Sequence, residues 1–283
     1  MYPIVKQEIL APAIKMLEVA APPIAAKAQP GQFIILRIDE RGERIPLTIA
    51  DFDRQRGSIT LIFQEVGRTT YELGKLAQGD CVLGIVGPLG MPSEIKKVGN
   101  VICIGGGVGI APVFPIARAL KQAGNMVVSI IGARSRAHLI LTKEMQAFSD
   151  SLHIATDDGS AGHQGPVTHV LQEIIHNHSK IDMVMAIGPL GMMKAVADIT
   201  RPFGIKTTVS LNPIMVDGTG MCGACRVSIG KETKFACVDG PEFDGHLVDW
   251  SIAESRARMF REEEIIAMQR CCSGGDGRCQ TPR

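Results

Sequence analysis

Up to about Ser93 the chain alternates apolar and polar positions in short runs broken by turn residues. Phe33–Arg37 (FIILR), Ser58–Gln64 (SITLIFQ) and Cys81–Val86 (CVLGIV) read as strands. Pro30-Gly31, Gln78-Gly79-Asp80 and Gly87-Pro88 read as the turns between such strands. This spacing predicts an antiparallel β-barrel or sandwich. From Asn100 to about Lys206 the pattern changes. Apolar runs at Val101–Ile104, Val127–Gly132, His153–Thr156 and Met183–Ile187 alternate with helical spacing over Val113–Gln122, Leu141–Phe148 and Val167–His176. Strand–helix alternation predicts an α/β doubly wound parallel sheet. After Thr207 the chain is rich in glycine and cysteine through Gly245, then charged and helical over Ser255–Gln269. The tail from Ser273 has little to bury and is expected to be mobile. The expected organisation is multidomain: a barrel over residues 1–97, a doubly wound sheet over 98–208, and a small cysteine-bearing domain over 209–283.

Composition narrows the function without naming it. The 283 residues suit two or three domains, and 45% hydrophobic content supplies their cores. A net charge of +1 and only 4% aromatic residues argue against a nucleic-acid partner. Val101–Leu120 is long enough to span a bilayer, but Gly105-Gly106-Gly107, Pro112 and Pro115 argue against a membrane span. Met1–Leu10 has neither the basic nor the apolar stretch of a signal peptide, so the cytoplasm is the expected location.

Of the eight cysteines, Cys81 and Cys103 lie in apolar runs and read as buried small hydrophobes. Cys222-x2-Cys225-x11-Cys237 forms the strongest chemical signal, in VDGTGMCGACRVSIGKETKFACVDG. Plant-type [2Fe–2S] loops run C-x4-C-x2-C and then a distant C, and Asp217 stands where the first of those cysteines would be. Gly218, Gly220 and Gly223 let the backbone curl around a cluster and aim amides at its sulfurs. Structural zinc is the alternative, but zinc sites usually pair two C-x-x-C knuckles, and only one is present. Iron–sulfur is the better reading. Cys271, Cys272 and Cys279 near the end read as ordinary thiols.

A second signal is Gly105-Gly106-Gly107-Val108-Gly109-Ile110-Ala111-Pro112 at a strand-to-helix junction. Its Gly105, Gly107, Val108, Gly109 and Pro112 are the candidate pyrophosphate contacts, since a helix start offers N–H donors and a positive dipole end. Two later segments fall at strand ends, where ligands bind in such sheets. Asp157, Asp158 and Gly159 either accept ribose hydroxyls or form a solvated turn. Gly188, Pro189 and Met192 either approach a nicotinamide or lead into a helix. Arg134 and Arg136 follow the second strand, where a 2′-phosphate is read, and leave NADH against NADPH open.

In the first domain, Arg44, Pro46, Leu47 and Thr48 offer a cation, a rigid bend and a hydroxyl. Arg44 can bind a diphosphate and Thr48, the candidate catalytic residue, can hydrogen-bond flavin N5. Gly67, Arg68, Thr69 and Thr70 offer further donors for the same diphosphate.

The order R-x-P-x-T, G-x-G-x-G-x-x-P and then a ferredoxin-type cysteine loop resembles the ferredoxin-reductase superfamily over nearly the whole chain. Within it, RIPLTIAD (Arg44–Asp51), GGGVGIAP (Gly105–Pro112), TDDGS (Thr156–Ser160) and NPIMVDGTGMCGACR (Asn212–Arg226) resemble electron-transfer subunits related to that of dihydroorotate dehydrogenase. The resemblance is greatest to the small-subunit family of NADH-dependent ferredoxin:NADP⁺ oxidoreductases, or sulfide dehydrogenases. It implies FAD on the barrel, NAD(H) on the parallel sheet, and a [2Fe–2S] cluster held by Asp217, Cys222, Cys225 and Cys237. It also implies a larger flavin and iron–sulfur subunit as partner, through which ferredoxin and NADP(H) react by electron bifurcation. Asp217 departs from the cysteine usual in dihydroorotate dehydrogenase subunits, and Leu47 from the aromatic common before the flavin-facing hydroxyl.

Overall fold

A computed structural model describes residues 1–177 and 180–273. The first segment contains β1 (Tyr2–Ala11), β2 (Ile14–Ala20), α1 (Pro22–Ala25), β3 (Phe33–Arg37), β4 (Arg44–Asp53), β5 (Ser58–Gln64), α2 (Arg68–Lys75), β6 (Cys81–Val82) and β7 (Gly84–Leu89). The strands pair antiparallel in the order β6-β1-β2-β5-β4-β3-β7. The two outermost strands, β6 and β7, are separated in the chain by Leu83 alone, so the sheet curls until its edges approach. It is a near-closed barrel.

Period-two alternation then assigns each side chain a face. Ile34 and Leu36 of β3 and Leu47 and Ile49 of β4 point into the barrel core with Leu17, Val19, Ile59 and Leu61. Phe33 and Ile35, and their cross-strand partners Thr48 and Pro46, face outward. Phe33 and Ile35 are nevertheless only 3% exposed, because the rest of the chain covers that outer face.

The second segment comprises β8 (Asn100–Gly106), α3 (Ile110–Gln122), β9 (Met126–Ala133), α4 (Thr142–Ala147), β10 (Ser151–Thr156), β11 (His163–Gln164), α5 (Val167–Asn177), β12 (Met183–Ile187), α6 (Leu190–Thr200) and β13 (Lys206–Ser210). These strands are parallel, in the order β11-β10-β9-β8-β12-β13. Val101, Cys103, Met183 and Met185 pack with α3 on one face, and Ile102, Ile104, Val184 and Ala186 pack with α5 and α6 on the other. The chain builds outward from β8 in one direction and then returns to add β12 on its other side. That reversal opens a crevice at the carboxyl ends of β8 and β12.

The last segment adds β14 (Arg226–Ile229), β15 (Glu232–Phe235), β16 (Glu242–Asp244), α7 (Trp250–Ala257) and α8 (Arg261–Ser273). β14 and β15 form a hairpin, while β16 joins the large sheet antiparallel to β13. The helical stretch expected over Ser255–Gln269 is instead two helices, broken at Arg258–Phe260, where Phe260 takes φ +64°. Cys271 and Cys272 fall in the last turn of α8, whereas Cys279 and the tail from Gly274 lie outside the described residues. Among the described residues no helix is long and apolar enough to cross a membrane.

Two contacts lock the segments together. Arg118 of α3 grips Asp51 of β4 with Nη2 at 2.6 Å from Oδ1 and Nη1 at 3.1 Å from Oδ2, tying the barrel to the parallel sheet. Glu242 of β16 accepts a hydrogen bond from the Ser93 hydroxyl beside Gly31. Burial pushes the Glu242 carboxyl up from the ordinary 4.5 to about 7, with the Ser93 bond opposing. The folded state therefore holds this proton more tightly than the unfolded chain, and stability falls as pH rises from about 4.5 through about 7. The full swing is on the order of 3 kcal/mol. Glu242→Gln is expected to flatten that fall and to raise the denaturation midpoint at pH 8. An unchanged difference between the midpoints at pH 5 and pH 8 would show that Glu242 does not carry it.

Candidate functional site

Three candidate sites lie along connected surfaces. At the crevice, the loop after β8 and the loop after β12 are in direct contact. A Cβ on Gly106 would lie 2.5 Å from the Met192 sulfur, and one on Gly188 would lie 3.1 Å from the Gly106 Cα. A Cβ on Gly109 would overlap the Ile187 carbonyl and stand 2.7 Å from the Gly188 Cα. These glycines pack backbone against backbone. Gly107 differs, with φ +56° and nothing within 4 Å of an added Cβ, so it faces open space at the start of α3. That arrangement leaves room for a phosphate to approach the backbone at a helix N-terminus that has no side-chain cap.

The ribose candidates sit beside one another at the ends of β9 and β10. The Asp157 and Asp158 amides donate to Ala133 and Arg134 carbonyls, joining the two loops. Asp158 accepts from the Ser160 hydroxyl (2.6 Å) and amide (2.9 Å), which holds its carboxyl below the usual carboxylate range. Asp157 is exposed, as are Arg134 and Gly159. Arg136 is tied down by its Nε, which donates to the Ser160 carbonyl at 3.0 Å.

On the barrel, Arg44, Pro46 and Thr48 share the outward face of β4, and Arg44 is exposed. Leu47 points into the barrel core, so only its backbone can meet a ligand on this face. At the start of α2, the Thr70 hydroxyl accepts from the Gly67 amide at 3.1 Å, and the Thr69 hydroxyl donates to Glu43 at 2.9 Å. Both hydroxyls are therefore engaged within the protein, and a diphosphate there would be met chiefly by backbone amides and Arg44.

The cysteine loop lies against the same barrel face. Gly218 has φ +76°, and a Cβ there would come within 3.0 Å of the Ile35 side chain and 2.6 Å of Leu89. Cys225 and Cys237 are buried, at 1% and 2% exposure, with their sulfurs 3.2 Å apart, well beyond a disulfide. Cys222 is exposed. Asp217 accepts from the Thr219 amide at 2.7 Å and the Cys222 amide at 3.0 Å, bonds that hold its carboxyl below the usual range. Among the described residues no three His, Cys, Asp or Glu side chains stand close enough together to hold a metal ion. Two donors are thus in place; Asp217 and Cys222 share one glycine-rich loop with Cys225, while Cys237 follows β15. Burial, with the Cys225 thiol beside it, holds the Cys237 thiol well above its usual range. A cation would reverse that preference by favouring thiolate, so the donor chemistry fits iron.

A near-closed antiparallel barrel, a doubly wound nucleotide sheet and a cysteine loop together define a reductase of the ferredoxin-reductase type. Family comparisons agree. Residues 103–198 match the oxidoreductase NAD-binding domain, and residues 212–249 match the iron–sulfur cluster binding domain of dihydroorotate dehydrogenase B. The chain is 48% identical to the dihydroorotate dehydrogenase B electron transfer subunit homolog of Thermotoga maritima, covering 94% of each chain. It is 32% identical to the electron transfer subunit of Bacillus caldolyticus, covering 85% of this chain and 94% of that one. A solved structure described as an NADH-dependent reduced ferredoxin-NADP oxidoreductase, reported for flavin-based electron bifurcation, superposes with a TM-score of 0.91 at 47% identity. That match covers 95% of this chain and 97% of the other. Phthalate dioxygenase reductase, at 17% identity and a TM-score of 0.57, shares the fold. The chain belongs to the family of dihydroorotate dehydrogenase B electron transfer subunits and their homologues. It is an oxidoreductase subunit with an NAD-binding domain and an iron–sulfur cluster binding domain.

Sequence reasoning reached the segments but missed several side chains that organise them. Asp51 ends the quoted RIPLTIAD motif, yet its partner Arg118 lies far along the chain. Phe33 and Ile35, in a run read only as a strand, form the seam with the cysteine loop. A run that is apolar at consecutive positions, as FIILR is, was the available signal for a strand covered on both faces.

Proposed function

We propose that this chain takes electrons from NADH on its parallel sheet and delivers them, by way of FAD on the barrel, to a [2Fe–2S] cluster and thence to a larger partner subunit. FAD, when bound, supplies the conversion between two-electron hydride chemistry and the one-electron steps of a cluster. The supporting observation is the shared face. Thr48 pairs with Phe33 and Pro46 with Ile35, and Ile35 is touched from outside by Gly218 of the cysteine loop. The hydroxyl offered to a flavin and the loop offered to a cluster therefore flank one another on two adjacent strands. Thr48 would hydrogen-bond the flavin at its reacting nitrogen, and Gly107 with the start of α3 would receive the pyrophosphate. Gly188, Pro189 and Met192 would position the nicotinamide. Asp217, Cys222, Cys225 and Cys237 would hold the cluster, after Asp217 and Cys222 turn toward the buried pair. The three functional segments would divide near residues 97 and 208, with the protein working in the cytoplasm.

The partner we infer carries flavin and further iron–sulfur centres, and reacts with ferredoxin and NADP(H) in an electron-bifurcating reaction. The match at 47% identity over nearly the whole chain supports this reading. The name of the Thermotoga maritima relative favours a second one, delivery of electrons from a dihydroorotate dehydrogenase to NAD⁺. Purification of the native complex separates them. NADH-dependent formation of NADPH with oxidation of reduced ferredoxin, or its reverse, supports the first, and orotate formation by a co-purifying flavin enzyme the second.

Asp217 provides a further test. Asp217→Ala is expected to lose the cluster or render it labile, with iron falling well below two per chain while FAD stays bound. Asp217→Asn keeps an oxygen for the Thr219 amide but removes the carboxylate, and it is expected to lose iron as well. Full iron content in Asp217→Asn would show that the carboxylate is not a ligand.

A further inference from the structure

The turn between Cys222 and Cys225 is gripped by two arginines. Arg226 donates from Nη1 to the Gly223 carbonyl at 2.9 Å, and Arg256 donates from Nη2 to the Ala224 carbonyl at 2.7 Å. In a trans peptide the carbonyl and the following N–H point opposite ways. Holding these two carbonyls toward the guanidinium groups therefore turns the Ala224 and Cys225 amides to the other side of the turn. Arg256 carries a second peculiarity. Its Nε is, among the described residues, the one buried side-chain nitrogen or oxygen without a hydrogen-bond partner. An orphaned donor on a cation is costly unless something accepts from it or its charge is answered.

Arg256 does not reach this position by chance of a loose side chain. It sits in the last turn of α7, whose first turn is capped by Asp249 accepting from the Ile252 amide at 3.1 Å. Trp250 is buried, with its indole N–H donating to the Gly245 carbonyl at 3.2 Å. Glu254 ties α7 to Lys194 of α6 at 2.9 Å. The cap fixes where the helix starts, the Trp250 indole and Glu254 tie it to its surroundings, and the guanidinium is presented to the turn ready formed.

We propose that Arg256 is a positioning and tuning residue for the [2Fe–2S] site: it orients the Cys222–Cys225 turn and places a fixed positive charge beside it that favours the reduced cluster. The inference rests on the iron–sulfur reading above. Reduction adds one electron and one negative charge to the cluster, drawn from NADH through the flavin. Arginine stays protonated throughout, so no proton moves with that electron. An adjacent cation answers the added charge, and charge and hydrogen bonding at the sulfurs are recognised levers on cluster potential.

The test measures the midpoint potential of the cluster by EPR in wild type, Arg256→Gln, Arg256→Lys and, as a control for bulk charge, Arg258→Gln on the exposed helix end. Arg256→Gln is expected to shift the reduced-to-oxidised ratio at a given potential at least tenfold toward oxidised, about 59 mV for one electron. Arg256→Lys should recover most of that shift, and Arg258→Gln should show none. A fully loaded Arg256→Gln with the wild-type potential overturns the proposal. If Arg256→Gln loads no cluster, Arg256→Lys decides: loading at the wild-type potential supports the charge role, and failure to load or a Gln-like shift overturns it. Wild-type protein without iron would instead refute the iron–sulfur reading itself.

Discussion

Cys225→Ala is expected to purify with its flavin and almost no iron. Cys225 is 1% exposed and lies 3.2 Å from Cys237, so it is half of the buried donor pair around which a cluster would assemble. Its backbone is held independently of its sulfur, because the Cys225 carbonyl accepts from the Ala236 amide at 3.1 Å. Removing one sulfur from this packed site costs about 1 kcal/mol, which a multidomain chain can absorb. The flavin barrel has a separate core around Leu17, Ile34, Leu47 and Leu61, so flavin content and its bleaching by NADH should persist. Iron near two per chain in Cys225→Ala would remove this cysteine from the ligand set.

The second large effect is expected at Gly109, from strain and not from lost chemistry. A methyl group there meets the Ile187 carbonyl and, at 2.7 Å, the Gly188 Cα, both of them backbone. Neither can give way without parting β8 from β12, whose register runs from Val101–Met183 to Gly105–Ile187. Gly109→Ala is therefore expected to cost roughly 1–3 kcal/mol of stability, the usual range for overpacking. A displacement of about 1 Å between reacting groups can cost about 100-fold in rate, and NADH-driven flavin reduction should fall by that order. Dithionite should still reduce the cofactors, because it needs no nucleotide site. Stopped-flow reduction by NADH at the wild-type rate would show that the crevice is not where the nucleotide reacts.

The contrast between these two positions shows what local sequence carries. Between Asn100 and Ile187 the main strands and helices were legible from periodicity, and Met183–Ile187 has the bounds read from the sequence; the run read as one strand over Cys81–Val86 is instead β6 and β7, and α2 was not read. The glycine run marked a junction where backbones approach, but only the structure separates Gly107, open to a ligand, from Gly106 and Gly109, closed against Met192 and Ile187. Cysteine spacing indicated donor types and not their environments, with Cys222 exposed and Cys225 buried on the same short turn. The pairs that join segments, Asp51 with Arg118, Ser93 with Glu242 and Ala224 with Arg256, follow from tertiary packing between distant stretches. No period of 2 or 3.6 residues encodes a partner at that distance.

On the proposed route, electrons entering on the parallel sheet leave through the cysteine loop, across the face shared by Thr48, Phe33 and Ile35. Anaerobic addition of NADH to the purified chain, followed by visible absorbance and low-temperature EPR, tests it most directly. Flavin absorbance is expected to bleach, with the signal of a reduced [2Fe–2S] cluster appearing alongside. A flavin that bleaches while the cluster stays oxidised, in protein whose cluster dithionite does reduce, would contradict it.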